Sequence, residues 1–341
     1  MKLHDIIRPN VLKLKPYSSA RDEFSGNDEV FLDANENPYG LWNRYPDPYQ
    51  KQLKEKLAED KGIAIKNIFI GNGSDEVIDL AFRIFCVPGV DQALTFSPTY
   101  GMYEVSAAIN DVTLTKLELD ADFQLDIDGL IPYLSDDTLK LMFICSPNNP
   151  TGNVMRRQDI AYILAHFRGV VMVDEAYIDF AEEPSLIGLI QTHNNLIVSQ
   201  TFSKARGLAG ARIGTAYAHE DIIAIYNKIK PPYNISALNQ VAALESLYQD
   251  GVYQRQLTEI LSERERLRSL LDQLPLVQKV YPSDANFLLV EVTDASRIYQ
   301  DLVEQGIVVR DRTSLVANCL RITVGTPEEN NQLIKALKAL E

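Results

Sequence analysis

The residues best suited to chemistry lie between positions 201 and 214, which read TFSKARGLAGARIG and follow an apolar run. Hydroxyls at Thr201 and Ser203, with the guanidinium of Arg212, are groups that bind phosphate. Lys204 stands beside an apolar segment, where burial lowers the pKa of an amine and makes it a nucleophile. A solvated surface lysine is the alternative, but the neighbouring residues favour a functional one.

A carboxylate ends a second apolar run, in the sequence Val173-Asp174-Glu175-Ala176-Tyr177. An unpaired buried carboxylate is costly, so Asp174 requires a partner, either a structural arginine or a cationic ligand atom. Tyr177, three residues further on, can direct its hydroxyl into the same space. The alternative is that Asp174 caps the segment that follows the strand.

The sequence SPNNPTG at residues 146–152 follows a third apolar run. Proline, asparagine and glycine form rigid turns, so a structural loop is one interpretation. The functional interpretation is that an Asn amide is held at the carboxyl edge of a sheet, where α/β folds bind their ligands.

A glycine-containing turn, GNGSDE at residues 71–76, follows a fourth apolar run. Its backbone N–H groups can approach an anion, and a helix that starts there adds favourable partial charge. A dinucleotide-binding fingerprint would require a third glycine at position 76, which is Glu76, so that interpretation fails. A plain turn with Ser74 as N-cap is the alternative.

The elements that would position these residues form a regular alternation between about residues 65 and 218. Short apolar runs without polar alternation predict strands that are covered on both faces. Amphipathic stretches at 75–85 and 157–167 predict crossover helices, so we expect a mainly parallel α/β sheet. The predicted strands are Ile68–Ile70, Ala93–Phe96, Val112–Leu117, Leu139–Ile144, Val170–Val173, Leu196–Val198 and Gly214–Ala218.

The pattern changes after Pro231-Pro232. Residues 236–274 predict one long helix with Ser236 as N-cap. Short strands at Asn286–Val292, Ile307–Val309 and Leu320–Val324, with helices at Ala295–Gln305 and Pro327–Leu340, predict a smaller α+β domain. We therefore expect an N-terminal arm (1–30) that packs with the small domain, a large domain (31–235) and a small C-terminal domain (236–341).

Composition narrows the function class. With 33 basic and 47 acidic residues, the net charge of −14 argues against binding to nucleic acid or an anionic membrane. No apolar run is long enough for a membrane span, and the charged N-terminus does not resemble a signal peptide. The three cysteines lie far apart and the four histidines show no metal-ligand spacing. A cytoplasmic enzyme without a metal site is the expected class.

Together these segments resemble the fold-type I aminotransferases that depend on pyridoxal 5'-phosphate. The order glycine-rich turn, Pro-Thr-Tyr, Asn-Pro-Thr-Gly, Asp-x-x-Tyr and Ser-x-Lys…Arg spans residues 71–212. The resemblance implies a large domain with a mostly parallel seven-stranded sheet between helices. Within this class, the chain is most similar to the histidinol-phosphate aminotransferase family. That similarity is carried by Lys15–Arg21, Asp33–Pro38, Arg44–Pro46, Val309–Asp311 and Leu320–Gly325.

The resemblance assigns roles at the cofactor. It implies that Lys204 holds pyridoxal 5'-phosphate as a Schiff base and then moves the proton, and that Asp174 pairs with the pyridine nitrogen. Asn149 and Tyr177 would hydrogen-bond the phenolic oxygen of the ring, and Tyr100 would stack on its face. The groups implied to bind the cofactor phosphate are the backbone of Ser74 and Asp75 and the side chains of Thr201, Ser203 and Arg212.

It also implies a homodimer with shared active sites, in which Tyr45 reaches the cofactor phosphate of the neighbouring subunit. The alternative is that Trp42 and the tyrosines of this region pack at the surface.

For the substrates, Arg310 and Arg321 would bind the phosphate, and Arg321 would also bind the α-carboxylate of 2-oxoglutarate or glutamate. A strand-edge arginine in a surface ion pair is the alternative for Arg321. The substrate side would further be lined by Tyr17 and Asn35.

The implied reaction is a ping-pong transamination of L-histidinol phosphate with 2-oxoglutarate, giving imidazole-acetol phosphate and L-glutamate in histidine biosynthesis. A threonine-phosphate decarboxylase or an aromatic amino-acid aminotransferase on the same fold is the nearest alternative. A non-catalytic cofactor-binding regulator would need a DNA-binding module, for which the chain has no room. A nucleotide-dependent dehydrogenase is disfavoured by Glu76.

Overall fold

The computed structural model describes residues 3–17 and 30–340. The second half of the Lys15–Arg21 stretch, and the rest of the predicted arm up to residue 29, lie outside the described residues. None of the helices within these ranges is long and apolar enough to span a membrane.

A seven-stranded sheet forms the centre of the large unit, in the order β1-β7-β6-β5-β4-β2-β3. The five strands from β2 to β6 are mutually parallel, and β7 runs antiparallel to both of its neighbours. The predicted mostly parallel seven-stranded sheet is confirmed. Its strands are β1 Ile68–Asn72, β2 Gln92–Ser97, β3 Thr113–Glu118, β4 Leu139–Cys145, β5 Val170–Asp174, β6 Leu196–Thr201 and β7 Ile213–Ala218.

Helices cover both faces of this sheet. Alternate residues of one strand enter different cores: Met142 and Ile144 of β4 enter one, and Leu141 and Phe143 enter the other. This is why the strands lack polar residues. The helices of this unit are α1 Pro9–Lys13, α2 Lys51–Lys61, α3 Ser74–Phe85, α4 Met102–Ile109, α5 Ile127–Leu130, α6 Arg157–His166, α7 Glu220–Ile229 and α8 Ala237–Tyr248.

The small unit is an antiparallel sheet in the order β10-β11-β9-β8. Leu288 and Val290 of β9 and Leu320 and Ile322 of β11 pack against helices in one core. Its elements are α9 Asp250–Leu271, β8 Val277–Val280, β9 Phe287–Val292, α10 Ala295–Glu304, β10 Arg310–Asp311, β11 Cys319–Thr323 and α11 Pro327–Lys338.

Two predictions about local elements are wrong. The single helix expected over residues 236–274 is two helices, because the backbone leaves the helical conformation at Gln249 (φ −101°, ψ 40°). Ser236 does cap the first of them by accepting from Asn239 N. The strand expected at residues 307–309 begins only at Arg310.

The contacts of two segments also differ from expectation. Ile6, Ile7 and Val11 of the arm pack into a core of the large unit, so the described part of the arm does not lie on the small domain as we expected. Helix α8, which we placed in the small domain, buries Ala243 and Leu247 in the other core of the large unit. The amphipathic pattern identified the buried residues but not their partners. The exact division of the chain stays a prediction.

Candidate active site

The carboxyl ends of β4, β5 and β6 meet at one edge of the large sheet. Asp174, the last residue of β5, is 2% exposed there. Its carboxylate accepts hydrogen bonds from the Tyr103 hydroxyl at 2.9 Å and from Ala176 N at 3.2 Å. Burial raises the pKa of Asp174 to about 6, and these hydrogen bonds oppose the rise. A buried carboxyl group of this kind is stabilised in its charged form by a cationic ligand atom.

Lys204 lies in the turn that follows β6. Its Nζ stands 5.6 Å from the centre of the Tyr177 ring. Burial lowers the pKa of the Lys204 amine, and the positive charge of Arg321 lowers it further. Both effects favour the neutral amine, which is the form that attacks a carbonyl carbon and accepts a proton.

The start of α3 supplies an anion-binding corner. Gly73 occupies the N-cap position with φ +77°, and Ser74 is the first helical residue, so Ser74 is not the N-cap that the sequence suggested. A helix N-terminus presents unpaired N–H groups to an anion. A Cβ on Gly214 would lie 2.2 Å from Ser74 N, so strand β7 passes the helix start at a distance that only glycine permits.

Arg212 stands against this corner. A Cβ on Gly73 would lie 2.7 Å from Arg212 Nη2, which places the guanidinium directly beside the turn. Arg212 Nη2 also lies 3.3 Å from an oxygen of Asp75, whose other oxygen accepts from the Tyr100 hydroxyl at 3.1 Å. The Asp75 side chain therefore holds Arg212 and Tyr100 in place, in addition to the backbone role that we expected of residue 75.

An amide bridge connects the two units. Asn149 Nδ2 donates to the Tyr177 hydroxyl oxygen at 3.3 Å, and Asn149 Oδ1 accepts from Arg321 Nη1 at 2.6 Å. Burial raises the pKa of Tyr177, so its hydroxyl stays protonated and can donate. Arg321 lies 5.3 Å above the Phe287 ring, and burial lowers the pKa of its guanidinium. Asn149 thus links an arginine of the small unit to the large-unit site.

These side chains surround one cavity of about 140 Å³. It is lined by ten of the eleven residues predicted to bind the cofactor: Ser74, Asp75, Tyr100, Asn149, Asp174, Tyr177, Thr201, Ser203, Lys204 and Arg212. A larger cavity of about 410 Å³ shares only Thr201 with this lining and contains none of the other residues predicted to bind the cofactor.

The predicted substrate arginines lie on the small sheet. Arg310 of β10 is paired directly with Arg321 of β11, so both side chains project from the same face. Arg321 contacts the site by donating to Asn149, which lines the Lys204 cavity. Arg310 is exposed.

Three predicted residues lie away from this cavity. Tyr45 stacks on Tyr233 with ring centres 4.5 Å apart and lines a groove that also includes Asn35. Tyr17 is 68% exposed and lies beside Tyr49 and Tyr233. Within a single chain, Tyr17, Asn35 and Tyr45 therefore do not join Lys204.

Sequence reasoning missed two residues. Tyr103, which is fully buried, donates to Asp174, and its signal was its place three residues after Tyr100, whose ring it meets edge to face with centres 5.6 Å apart. Arg312 lines a neighbouring cavity with Tyr100 and Asn149, and it was missed because its position beside Arg310 and Arg321 follows from the pairing of β10 with β11.

The donor set fits pyridoxal 5'-phosphate. One end of the cavity offers a helix N-terminus, hydroxyls and Arg212, which suit a phosphate. Asp174 is a buried carboxyl that requires a positive partner, as a protonated ring nitrogen would provide. Between them, the Tyr177 hydroxyl can donate to a ring oxygen and Lys204 can attack a carbonyl carbon.

Comparison with known proteins gives the same class. The sequence model of the family described as aminotransferase class I and II matches residues 25–337. The histidinol-phosphate aminotransferase of Parabacteroides distasonis is 52% identical over 342 residues, which is 99% of each chain.

Two solved structures share the fold. The histidinol-phosphate aminotransferase from Clostridium acetobutylicum has a TM-score of 0.81 at 24% identity, covering 88% of this chain and 91% of that one. The enzyme of the same name from Sinorhizobium meliloti, solved in complex with pyridoxal-5'-phosphate, has a TM-score of 0.79 at 24% identity, covering 87% and 84%.

Proposed function

The chain belongs to the aminotransferase class I and II family, and from that premise we propose that it transfers the amino group of L-histidinol phosphate to 2-oxoglutarate. The products are imidazole-acetol phosphate and L-glutamate, in a step of histidine biosynthesis. The observation that carries this proposal is the 52% identity, over 99% of both chains, to a relative named for the reaction.

Pyridoxal 5'-phosphate is the cofactor of this family of reactions, and when bound it supplies an electron sink for the pair left by a broken C–H bond. We assign its phosphate to Arg212, the Ser203 hydroxyl and the N–H groups at the start of α3. Asp174 would hold the proton on the ring nitrogen, and the Tyr177 hydroxyl would donate to the ring oxygen. Lys204 Nζ is the point of covalent attachment.

Lys204 also carries the proton transfer. Burial and Arg321 keep a fraction of its amine neutral, so Nζ can accept the proton from the carbon that bears the donor's amino group. In the second half-reaction, the same nitrogen returns a proton to the carbon that becomes Cα of glutamate. The Tyr177 ring beneath Nζ restricts where the amine can move.

Arg310 and Arg321 would bind the anionic end of each substrate. The amine donor carries a phosphate and the acceptor carries carboxylates, and a guanidinium binds either in a bidentate manner. Because Arg321 is fixed by Asn149, which also contacts Tyr177, the anion is held in register with the cofactor ring.

A half-reaction on the purified holoenzyme tests the substrate. Histidinol phosphate, threonine phosphate or phenylalanine is added without a keto acid, and the visible absorption of the bound cofactor is followed. We expect rapid loss of the starting band with histidinol phosphate alone, and no change in Lys204→Ala. Faster conversion of phenylalanine would indicate an aromatic aminotransferase, and release of carbon dioxide from threonine phosphate would indicate the decarboxylase.

We also propose a homodimer that shares its active sites. Leu32, Tyr39, Leu41 and Trp42 are all more than half exposed, and Trp42 lines the same groove as Tyr45. Exposed apolar residues in such number are typical of an interface. A second copy seated there would bring Tyr45 to the partner's cofactor phosphate.

Complementation tests the shared site. Lys204→Ala and Tyr45→Ala chains are each expected to be impaired. Mixed by unfolding and refolding, they would recover about a quarter of wild-type activity through statistical pairing into heterodimers with one intact site. No recovery in the mixture would contradict a Tyr45 that acts on the neighbouring subunit.

We place the enzyme in the cytoplasm. Cys86, Cys145 and Cys319 are all free and buried, as suits a reducing compartment. Fractionation of cells that express the tagged chain tests this placement, and recovery outside the cytoplasmic fraction would contradict it.

A further inference from the structure

Arg312 is a third arginine beside the proposed substrate arginines. Its backbone N donates to Cys319 O at 2.9 Å, which continues the ladder between β10 and β11 past Asp311. Side chains alternate along extended backbone, so Arg312 projects on the same side as Arg310. Because Arg310 is paired with Arg321, all three guanidinium groups belong to one face of the small sheet.

Within the described residues, the three arginines have no counter-ion. Among residues 3–17 and 30–340, no acidic side chain lies within ion-pair distance of any of them. Burial lowers the pKa of Arg312, and the charges of Arg321 and Arg310 lower it further. Because Arg312 and Arg321 are both partly buried, the repulsion between their charges is costly unless an anion binds beside them.

Arg312 also has a buried donor without a partner in the described part of the chain, and it lines a cavity next to the proposed active site. Its Nε is buried and has no hydrogen-bond partner in the described part of the chain, and the same is true of Arg321 Nε. Arg312 lines a cavity of about 120 Å³ together with Tyr100 and Asn149. Both of those residues also line the Lys204 cavity, so the two spaces share a wall.

We propose that Arg312 is a third phosphate-binding arginine, which joins Arg310 and Arg321 and makes the enzyme prefer a phosphorylated amine donor over the same amino alcohol without phosphate. This inference rests on the proposed function. A phosphate dianion offers three oxygens and about two negative charges, which suits three guanidinium groups better than a single carboxylate does.

The test compares two donors that differ only in the phosphate, histidinol phosphate and histidinol, in Arg312→Gln and Arg312→Lys. We expect Arg312→Gln to lower kcat/KM for histidinol phosphate about ten- to a hundredfold, and for histidinol by no more than about threefold. Arg312→Lys should recover part of the loss, since it retains the charge but not the planar fork. The matched control is Arg297→Gln, an exposed arginine on α10 of the same unit.

A second readout does not depend on turnover of histidinol. Inorganic phosphate should inhibit the holoenzyme in competition with histidinol phosphate, and its inhibition constant should rise in Arg312→Gln but not in Arg297→Gln. An equal loss for both donors, or an unchanged phosphate inhibition constant, would overturn the role of Arg312. A wild-type enzyme that does not convert histidinol phosphate would instead overturn the proposed function.

Discussion

The Lys204 cavity and the segment over residues 30–50 differ in what holds them in place. The cavity residues follow strands that a seven-stranded ladder fixes within one chain. The segment contains no helix or strand, and Tyr39, Leu41 and Trp42 are 83%, 86% and 57% exposed. A single chain therefore assembles the proposed cofactor site, whereas the segment assigned to the shared part of the site leaves large apolar side chains exposed in a single chain.

The largest loss of activity should follow a substitution within the Lys204 cavity. Lys204→Ala removes both the proposed attachment point and the proposed proton-transfer group, so turnover should fall by at least about 10⁴-fold at every protein concentration. Coupled glutamate formation measures the rate, and the protein mass after borohydride reduction reports the covalent link. Lys66→Ala, an exposed lysine paired with Glu220, is the control. Substantial turnover by Lys204→Ala would remove this lysine from the mechanism.

Asp174→Asn should lower turnover less than Lys204→Ala does. We expect kcat to fall about 10²- to 10³-fold, because an amide cannot hold the ring nitrogen's proton by charge.

Asp174→Asn should also raise the thermal stability of the cofactor-free protein, by an amount that depends on pH. The folded pKa of Asp174, about 6, is raised from its ordinary value of 3.8, so ionisation penalises the folded state above pH 6, by about 3 kcal/mol. The penalty is absent below both pKa values. Asp174→Asn should therefore have the higher Tm at pH 8, with a gap that narrows towards pH 5. Equal Tm values at pH 8 would contradict a buried, ionised carboxylate.

Arg212→Lys tests the phosphate corner within one chain. Lysine keeps the positive charge but cannot bind in a bidentate manner, so the Kd of pyridoxal 5'-phosphate should rise about tenfold. Titration of the cofactor-free protein measures it. Arg168→Lys, at an exposed ion pair with Asp137, should leave the Kd unchanged. If the two variants bind the cofactor equally well, the phosphate is not held by Arg212.

How far the sequence could predict this molecule depends on whether a residue's position follows from the order of the strands or from packing between distant segments. Apolar strands that end in polar motifs indicated the sheet, because parallel strands must bring their carboxyl ends to one edge. The resemblance to the aminotransferases then singled out ten of the residues that line the cavity, Tyr100 among them. Tyr103 was missed because its contact depends on how α4 sits against β5. Arg312 was missed because its face follows from the pairing of β10 with β11, a long-range register.

Trp42→Ser should have the smallest effect, and it acts only through assembly. Loss of an aromatic anchor weakens an interface, so the dimer dissociation constant should rise by about tenfold or more. Specific activity should be near normal in concentrated solution and fall less than about tenfold on dilution, in parallel with monomer formation measured by sedimentation. Ile109→Ser, another exposed apolar residue (69%) at the end of α4, is the control. If Trp42→Ser dissociates no more readily than the control, residues 30–50 are not the interface, and the two regions do not differ in the way inferred from their exposure.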